Sequence, residues 1–274
     1  PLSTQVDYIP FYNDAVADEM GGPAKFTDYC VQRLQEYITR YPKQHACFIF
    51  ELVQGEGGFN VAKRDFFKAL MDVCRDNGIA IWDDEIQSFG RTESMFAYEQ
   101  YDLGEYVDVF CVGKMTQACA TLWTERYNPK PGLLSGTFTG NTSDFTVGSL
   151  LLDELSSNDY YGPKGKFAIH HAEFRSQVKK LIDKHPDWFP DAPETKELVG
   201  GVGGMMKFTP FGGEKAKVTK TCKYAYEEGV ISFYCGHGPF HVRMLPPLPV
   251  MKMEDWPRVF ECLERALSRV AQEG

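Results

Sequence analysis

The stretch IAIWDDE, residues 79–85, decides the architecture of the chain. A short continuous apolar run that ends abruptly in acidic residues reads as a strand buried on both faces. Immediately before it, VAKRDFFKALMDVCRDNG (61–78) reads as an amphipathic helix. Phe66, Leu70 and Val73 share one face, and Asn77-Gly78 supplies the stop. Before that helix, ACFIFELV (46–53) is a second buried strand, closing in the turn-rich QGEGG (54–58). On the other side come a loop, a short helix over residues 95–101, and a third apolar strand, VDVFCVGK (107–114). Strands that alternate with helices at this spacing imply parallel βαβ units, hence an α/β fold with a mainly parallel sheet.

Further out the pattern holds upstream and changes downstream. Residues 24–41 place Tyr29, Leu34, Tyr37 and Ile38 near helical spacing. SSNDYYGPKG (156–165) is a polar, turn-forming connector. After it come a long helix over 164–184, strands in LVGGVGGMMKFTP (198–210) and GVISFYC (229–235), the segment HVRMLPPLPV (241–250) and a final helix over 254–272. The expected organisation is therefore a larger α/β portion over 1–157 and a smaller α+β domain over 158–274. The glycines of GGVGG (200–204) could suggest a phosphate loop, but a turn entering a strand fits their context better.

Hydrophobic residues make up 43% of the 274 and charged residues 24%, enough apolar content to exclude disorder for the bulk of the chain. The formal net charge of -9 disfavours nucleic acid and anionic membrane surfaces as partners. No apolar run approaches the roughly 20 residues of a membrane span. The start, PLSTQVDYIPFYND, lacks the features of a signal peptide and reads like a chain entered in its middle. The eight cysteines form no C-x-x-C pair, so buried thiols in a reducing, cytoplasmic compartment are expected, with no metal site. His170-His171 are helical neighbours that do not share a face, which disfavours a metal pair.

In α/β sheets ligands bind beyond the carboxyl ends of the strands. Three strands here end in reactive side chains: Glu51 with Gln54 and Glu56, then Asp83, Asp84, Glu85 and Gln87, then Lys114. By position alone Lys114 is either a lysine reaching back to solvent or an amine made nucleophilic by desolvation. Asp84 alone could cap a helix or bind a metal. Taken together, a strand-end carboxylate and a strand-end lysine also suit a pyridine cofactor that forms an imine.

Five segments, in order, resemble the class III family of pyridoxal-phosphate aminotransferases. ELVQGEGG (51–58) resembles E-P-x-Q-G-E-x-G, and DDEIQSFGRT (83–92) resembles D-E-V-Q-x-G-x-G-R-T. VGKMTQAC (112–119) holds a lysine thirty residues beyond Asp84. GTFTGNT (136–142) resembles T-F-x-G-N-P, and FHVRMLPPLPV (240–250) resembles R-x-x-P-P-L. The resemblance implies the fold-type-I large domain, incomplete here, and pyridoxal 5'-phosphate as cofactor. It implies Lys114 as the Schiff-base lysine and proton carrier, and Asp84 as partner of the pyridine nitrogen. It places Ile86 on one ring face, Gln87 near the phenolic oxygen, and Thr137 at the cofactor phosphate of a neighbouring subunit. Arg243 would bind a substrate carboxylate, and Glu56 would neutralise Arg243 when that carboxylate is missing. Glu51 would support the site.

The implied reaction moves an amino group from an ω-amine or amino acid to a keto acid such as 2-oxoglutarate or pyruvate, in a homodimer with shared sites. Leu52 stands where the family has Pro, and Thr142 where Pro is common. Residues 115–119 lack the usual glycines, a variant closer to the lysine 6-aminotransferase, γ-aminobutyrate and ornithine branches. The family's N-terminal part, with its glycine-rich phosphate cup, has no counterpart in the chain. An aminomutase or decarboxylase of the same fold, or a catalytically incomplete fragment, are the alternatives.

Overall fold

The structure is a computed structural model, and it describes residues 5–137 and 139–273. The first half opens with two helices, α1 (Asp14–Glu19) and α2 (Pro23–Arg40). Asn13 caps α1 by accepting from the amides of Ala15 and Val16. In α2 the chain buries Phe26, Cys30 and Leu34, an i, i+4, i+8 stripe. Tyr29, expected on that stripe, is exposed, because it lies one position off the buried row. Strand β1 (Cys47–Phe50), helix α3 (Arg64–Asp76) and strand β2 (Ala80–Glu85) follow. Helix α3 buries Phe66, Phe67, Leu70, Met71 and Cys74, and Gly78 leaves it with a φ of 68°.

After the one-turn helix α4 (Ala97–Gln100) come β3 (Val109–Val112) and β4 (Ala120–Trp123). The sheet order is β1-β2-β3-β4. The first two pairings are parallel, as the βαβ alternation predicts, but β3 pairs with β4 antiparallel. That fourth strand is short and exposed throughout, so its sequence carries no alternation to announce it.

Helix α5 (Thr142–Ser157) was equally silent in the sequence. It buries only Gly148 and Leu155, and leaves Phe145, Val147, Leu150 and Leu152 in the open. Beyond it, α6 (Lys166–Lys184) leads to the hairpin β5 (Val199–Val202) and β6 (Met205–Phe208). The glycine-rich stretch is thus mostly strand, with its turn at Gly203-Gly204. Helix α7 (Lys215–Glu227), strands β7 (Phe233–Cys235) and β8 (His241–Met244), and helix α8 (Asp255–Gln272) complete the chain. This second sheet is antiparallel, in the order β5-β6-β8-β7.

Two main apolar cores correspond to the two sheets. One gathers residues from Tyr12 to Tyr106 around Phe66, Phe67 and Ile81; the other gathers Leu155 to Leu267 around Trp256, Phe174 and Phe208. Trp256 is fully buried and donates its Nε1 hydrogen to His170 Nδ1 at 3.0 Å. His171 Nδ1 meets the carbonyl of Gly203 at 2.8 Å, so both histidines are spent on packing. Trp256→Ala should remove about 3–5 kcal/mol of stability through the cavity it leaves, with a further loss because His170 keeps no partner. Urea unfolding followed by circular dichroism measures this, and a loss below about 1 kcal/mol would show that the second core does not depend on the indole.

The cysteine expectation needs correction. Cys30, Cys74, Cys235 and Cys262 are buried, but Cys47 and Cys119 are exposed. Among the described residues, no cluster of His, Cys, Asp and Glu could hold a metal ion, and no helix is long and apolar enough to cross a membrane.

Candidate active site

The site is built where β2 and β3 run side by side in parallel. Asp84 is in register with Cys111, and Glu85 with Val112, so Lys114 lies just past the end of β3 next to the acidic end of β2. The half-buried Asp84 accepts from the Ile86 amide at 3.1 Å and from the Cys111 thiol at 3.5 Å. Burial pushes the Cys111 thiol up to about 11, so it stays protonated and remains a donor to that carboxylate.

Lys114 is exposed and opens a single 3-10 turn, Lys114–Thr116. Its φ is 51°, the left-handed region that a side-chain-bearing residue rarely occupies. Such a conformation costs on the order of 1–3 kcal/mol and concentrates at functional sites. Nothing in the sequence announces it. Gly113 makes the approach possible: a Cβ there would come within 3.0 Å of Cys119 Sγ and 3.2 Å of Ile86 Cδ1. Ile86 therefore stands against the backbone that presents the lysine.

Glu51 reaches back to accept from the Gly55 amide at 3.0 Å. Burial raises its carboxyl, with Asp84 adding to the rise while the Gly55 amide and Lys114 oppose it. Glu51 thus feels both principal residues of the site. Asp83 and Glu85 point to the other face of β2 and are fully buried. Burial, and then the charge of Glu85, push Asp83 well above the ordinary carboxylate range. Burial raises Glu85 to about 7, although it accepts from the amides of Ala97 at 2.8 Å and Tyr98 at 3.1 Å. Those two bonds fix α4 to the back of the strand that carries Asp84.

Arg243 approaches from β8 of the second sheet. Its guanidinium donates NH1 to Glu56 Oε1 at 2.7 Å, and its Nε is buried without a partner among the described residues. The rings of Phe59 and Phe233 lie 5.8 and 5.9 Å from it, which holds the flat cation in place. Gln87 joins this pair, donating Nε2 to Glu56 at 3.1 Å and accepting from Arg243 NH1 at 3.4 Å. Partial burial would raise Glu56, but Arg243 and then Gln87 outweigh it and hold the carboxylate below its ordinary range. In this geometry the Gln87 amide is committed to Glu56 and Arg243, a link the sequence did not suggest. The structure thus brings Asp84, Ile86, Gln87, Lys114, Glu56 and Arg243 into two adjoining groups. Thr137 sits in an exposed turn; Phe138, inside the same GTFTGNT segment, lies outside the described residues.

A pyridine aldehyde cofactor fits this donor set. Asp84 is a partly sheltered acceptor, Ile86 an apolar surface, and Lys114 an amine on a strained turn at a strand end.

The sequence model of the family described as aminotransferase class III matches residues 1–267. The acetylornithine aminotransferase of Prochlorococcus marinus is 29% identical over 230 residues, 82% of this chain and 52% of that protein. The L-lysine-epsilon aminotransferase of Streptomyces clavuligerus is 32% identical over 152 residues, 52% of this chain and 32% of that protein. Among solved structures, the lysine aminotransferase of M. tuberculosis superposes with a TM-score of 0.77 at 23% identity, covering 90% of this chain and 55% of that one. This last is a likeness of fold. The chain spans about half the length of curated relatives such as the acetylornithine enzyme.

Proposed function

The chain belongs to the class III aminotransferases, the fold-type-I enzymes that depend on pyridoxal 5'-phosphate, and we propose that the protein transfers an amino group from an ω-amine or amino acid to a keto acid such as 2-oxoglutarate or pyruvate. The observation that carries this reading is the meeting of three groups. Asp84 and Lys114 end adjacent parallel strands, and the Arg243–Glu56 ion pair comes in from the second sheet. The cofactor, when bound, supplies the electron sink for the carbanion at the substrate's Cα.

The protein's own groups do the rest. Lys114 would hold the cofactor through its amine and would move a proton at the substrate's Cα. Asp84 would accept a hydrogen bond from a protonated pyridine nitrogen. Ile86, packed against the Gly113 backbone, would offer the ring an apolar surface. Gln87 positions Glu56 and Arg243, and its place near the phenolic oxygen follows if its side chain turns. Arg243 binds a carboxylate through the fork that now meets Glu56.

Residues 1–157 are proposed as the C-terminal portion of the large domain and 158–274 as the small domain. The assembly we propose is a cytoplasmic homodimer in which Thr137 serves the partner's site. Its support is the concentration of exposed Leu122, Trp123, Leu133, Leu134, Phe145, Val147 and Leu150 within one stretch of chain, since clustered exposed apolar side chains mark interaction surfaces.

The test is a donor screen on the full-length protein with 2-oxoglutarate, alongside Glu56→Ala. With an α-carboxylate bound, Arg243 serves the substrate and Glu56 turns aside. With an ω-amine bound, Arg243 needs Glu56 as its counter-charge. Glu56→Ala should therefore slow the ω-amine half-reaction about tenfold more than the glutamate half-reaction, a difference of about 1.4 kcal/mol. Equal losses would reduce the pair to a structural bridge, and carbon dioxide release without amino transfer would replace the transaminase reading with a decarboxylase.

A further inference from the structure

Lys207 lies on β6, in register with Gly200 of β5 and Arg243 of β8, so the three share one face of the second sheet. Its amine is buried and makes one hydrogen bond, at 3.0 Å, to Oδ1 of Asn60. That partner is a neutral amide whose nitrogen is already committed to Gln54 Oε1 and the Gly57 carbonyl. No carboxylate among the described residues pairs with Lys207, which leaves two of its three donors unused. Burial pushes the amine down to about 8, and His241 nearby is pushed down to about 3 by burial and by the Lys207 charge. Gly200 makes this placement possible, because a Cβ there would lie 2.9 Å from Lys207 Cε. The glycine-rich stretch thus makes room for a lysine stem.

The amine borders a cavity of about 530 Å³, within the size range of small-molecule sites. Asn60, Lys63, Arg175, Gly201 and His237 also line it, and Arg243 does not. Of its other cations, Arg175 is engaged by Glu197 and Lys196 by Asp18, while its carboxylates Asp14, Glu194 and Glu197 are all exposed at the rim. The buried end of the cavity therefore offers one lysine and neutral donors, with no negative charge to answer them. A buried ammonium in that position is stabilised by an anion that brings the missing charge and acceptors.

We propose that this cavity is a binding site for a small carboxylate or phosphate anion, held on Lys207 and distinct from the site of Arg243. The inference stands independently of the transamination reading, and its test involves no turnover. Full-length protein would be titrated calorimetrically with inorganic phosphate and, separately, with succinate. Lys207→Gln, Lys63→Gln and Arg243→Gln would be run in parallel. In a second measurement, acetylation of Lys207 by a limiting amine reagent would be followed by peptide mass spectrometry with and without each anion.

At least one anion should bind saturably, lose tenfold or more in affinity in Lys207→Gln, and keep its affinity in Arg243→Gln. Lys63→Gln should weaken it only two- to threefold. The same anion should protect Lys207 from acetylation over the same concentration range. Protection by phosphate alone identifies a phosphate site, and by succinate alone a carboxylate site. If Lys207→Gln fails to fold, protection in the unmodified protein decides. Acetylation of Lys207 that is indifferent to both anions, or binding that survives in Lys207→Gln, would overturn the proposal.

Discussion

Lys114→Ala in the full-length protein is expected to abolish transamination, with a loss of at least about 10⁴-fold in kcat, the scale seen when a covalent nucleophile is removed. The visible absorbance of lysine-bound cofactor should vanish with it. The fold should survive, because Lys114 is exposed and its side chain makes no ion pair or hydrogen bond among the described residues. Alanine tolerates the φ of 51° no better and no worse than lysine, so stability should change by less than about 0.5 kcal/mol. Lys114→Arg should be equally inactive despite its retained charge, since a guanidinium neither deprotonates near neutral pH nor condenses with an aldehyde. Near-native turnover in either variant would mean that the covalent amine lies elsewhere. The half-buried position of Asp84 beside it would then need another explanation.

The strand ends proposed to carry this chemistry were legible in the sequence for a simple reason. The strand in IAIWDDE is largely buried and that in VDVFCVGK half-buried, and such strands appear as unbroken apolar runs with abrupt polar ends. The polar ends of parallel strands are where ligands sit. Helix α3 was legible because its apolar positions repeat with the period of a helix whose other face is wet.

What stayed hidden follows from the same physics. Strand β4 and helix α5 expose most of their apolar residues, so neither shows a clean polar–apolar period. The hairpin in the glycine-rich stretch was obscured because Gly200 and Gly201 lack side chains whose alternation could mark a strand. Within the site, the pairing of Glu56 with Arg243 across 187 positions came only from the resemblance. Gln87 entering that pair, the strain at Lys114 and the burial of Lys207 depend on how two sheets approach each other. A single-chain pattern does not encode that approach.

Asp84→Asn is the second large effect expected, and it separates cofactor chemistry from cofactor retention. The substitution keeps the shape and an acceptor oxygen at the same place, so the bonds from the Ile86 amide and the Cys111 thiol survive. Strand β2 stays anchored from its other face, where Glu85 holds the amides of Ala97 and Tyr98. The fold and much of the cofactor binding should therefore remain. What would be lost is the negative charge proposed to keep a proton on the pyridine nitrogen. A neutral pyridine withdraws fewer electrons from the substrate's Cα, so loss of the Cα proton becomes the slow step. The rate should drop by about 10²–10⁴-fold, a range comparable to removing a principal electrostatic group in other enzymes. A deuterium at the substrate's Cα should then show a larger isotope effect on kcat than in the unmodified protein. Asp84→Glu, which restores the charge but displaces it by one methylene, should recover only part of the rate. If Asp84→Asn retained full activity with an unchanged isotope effect, Asp84 would be a structural acceptor for Ile86 and Cys111, and the pyridine nitrogen would have to find its partner in another residue.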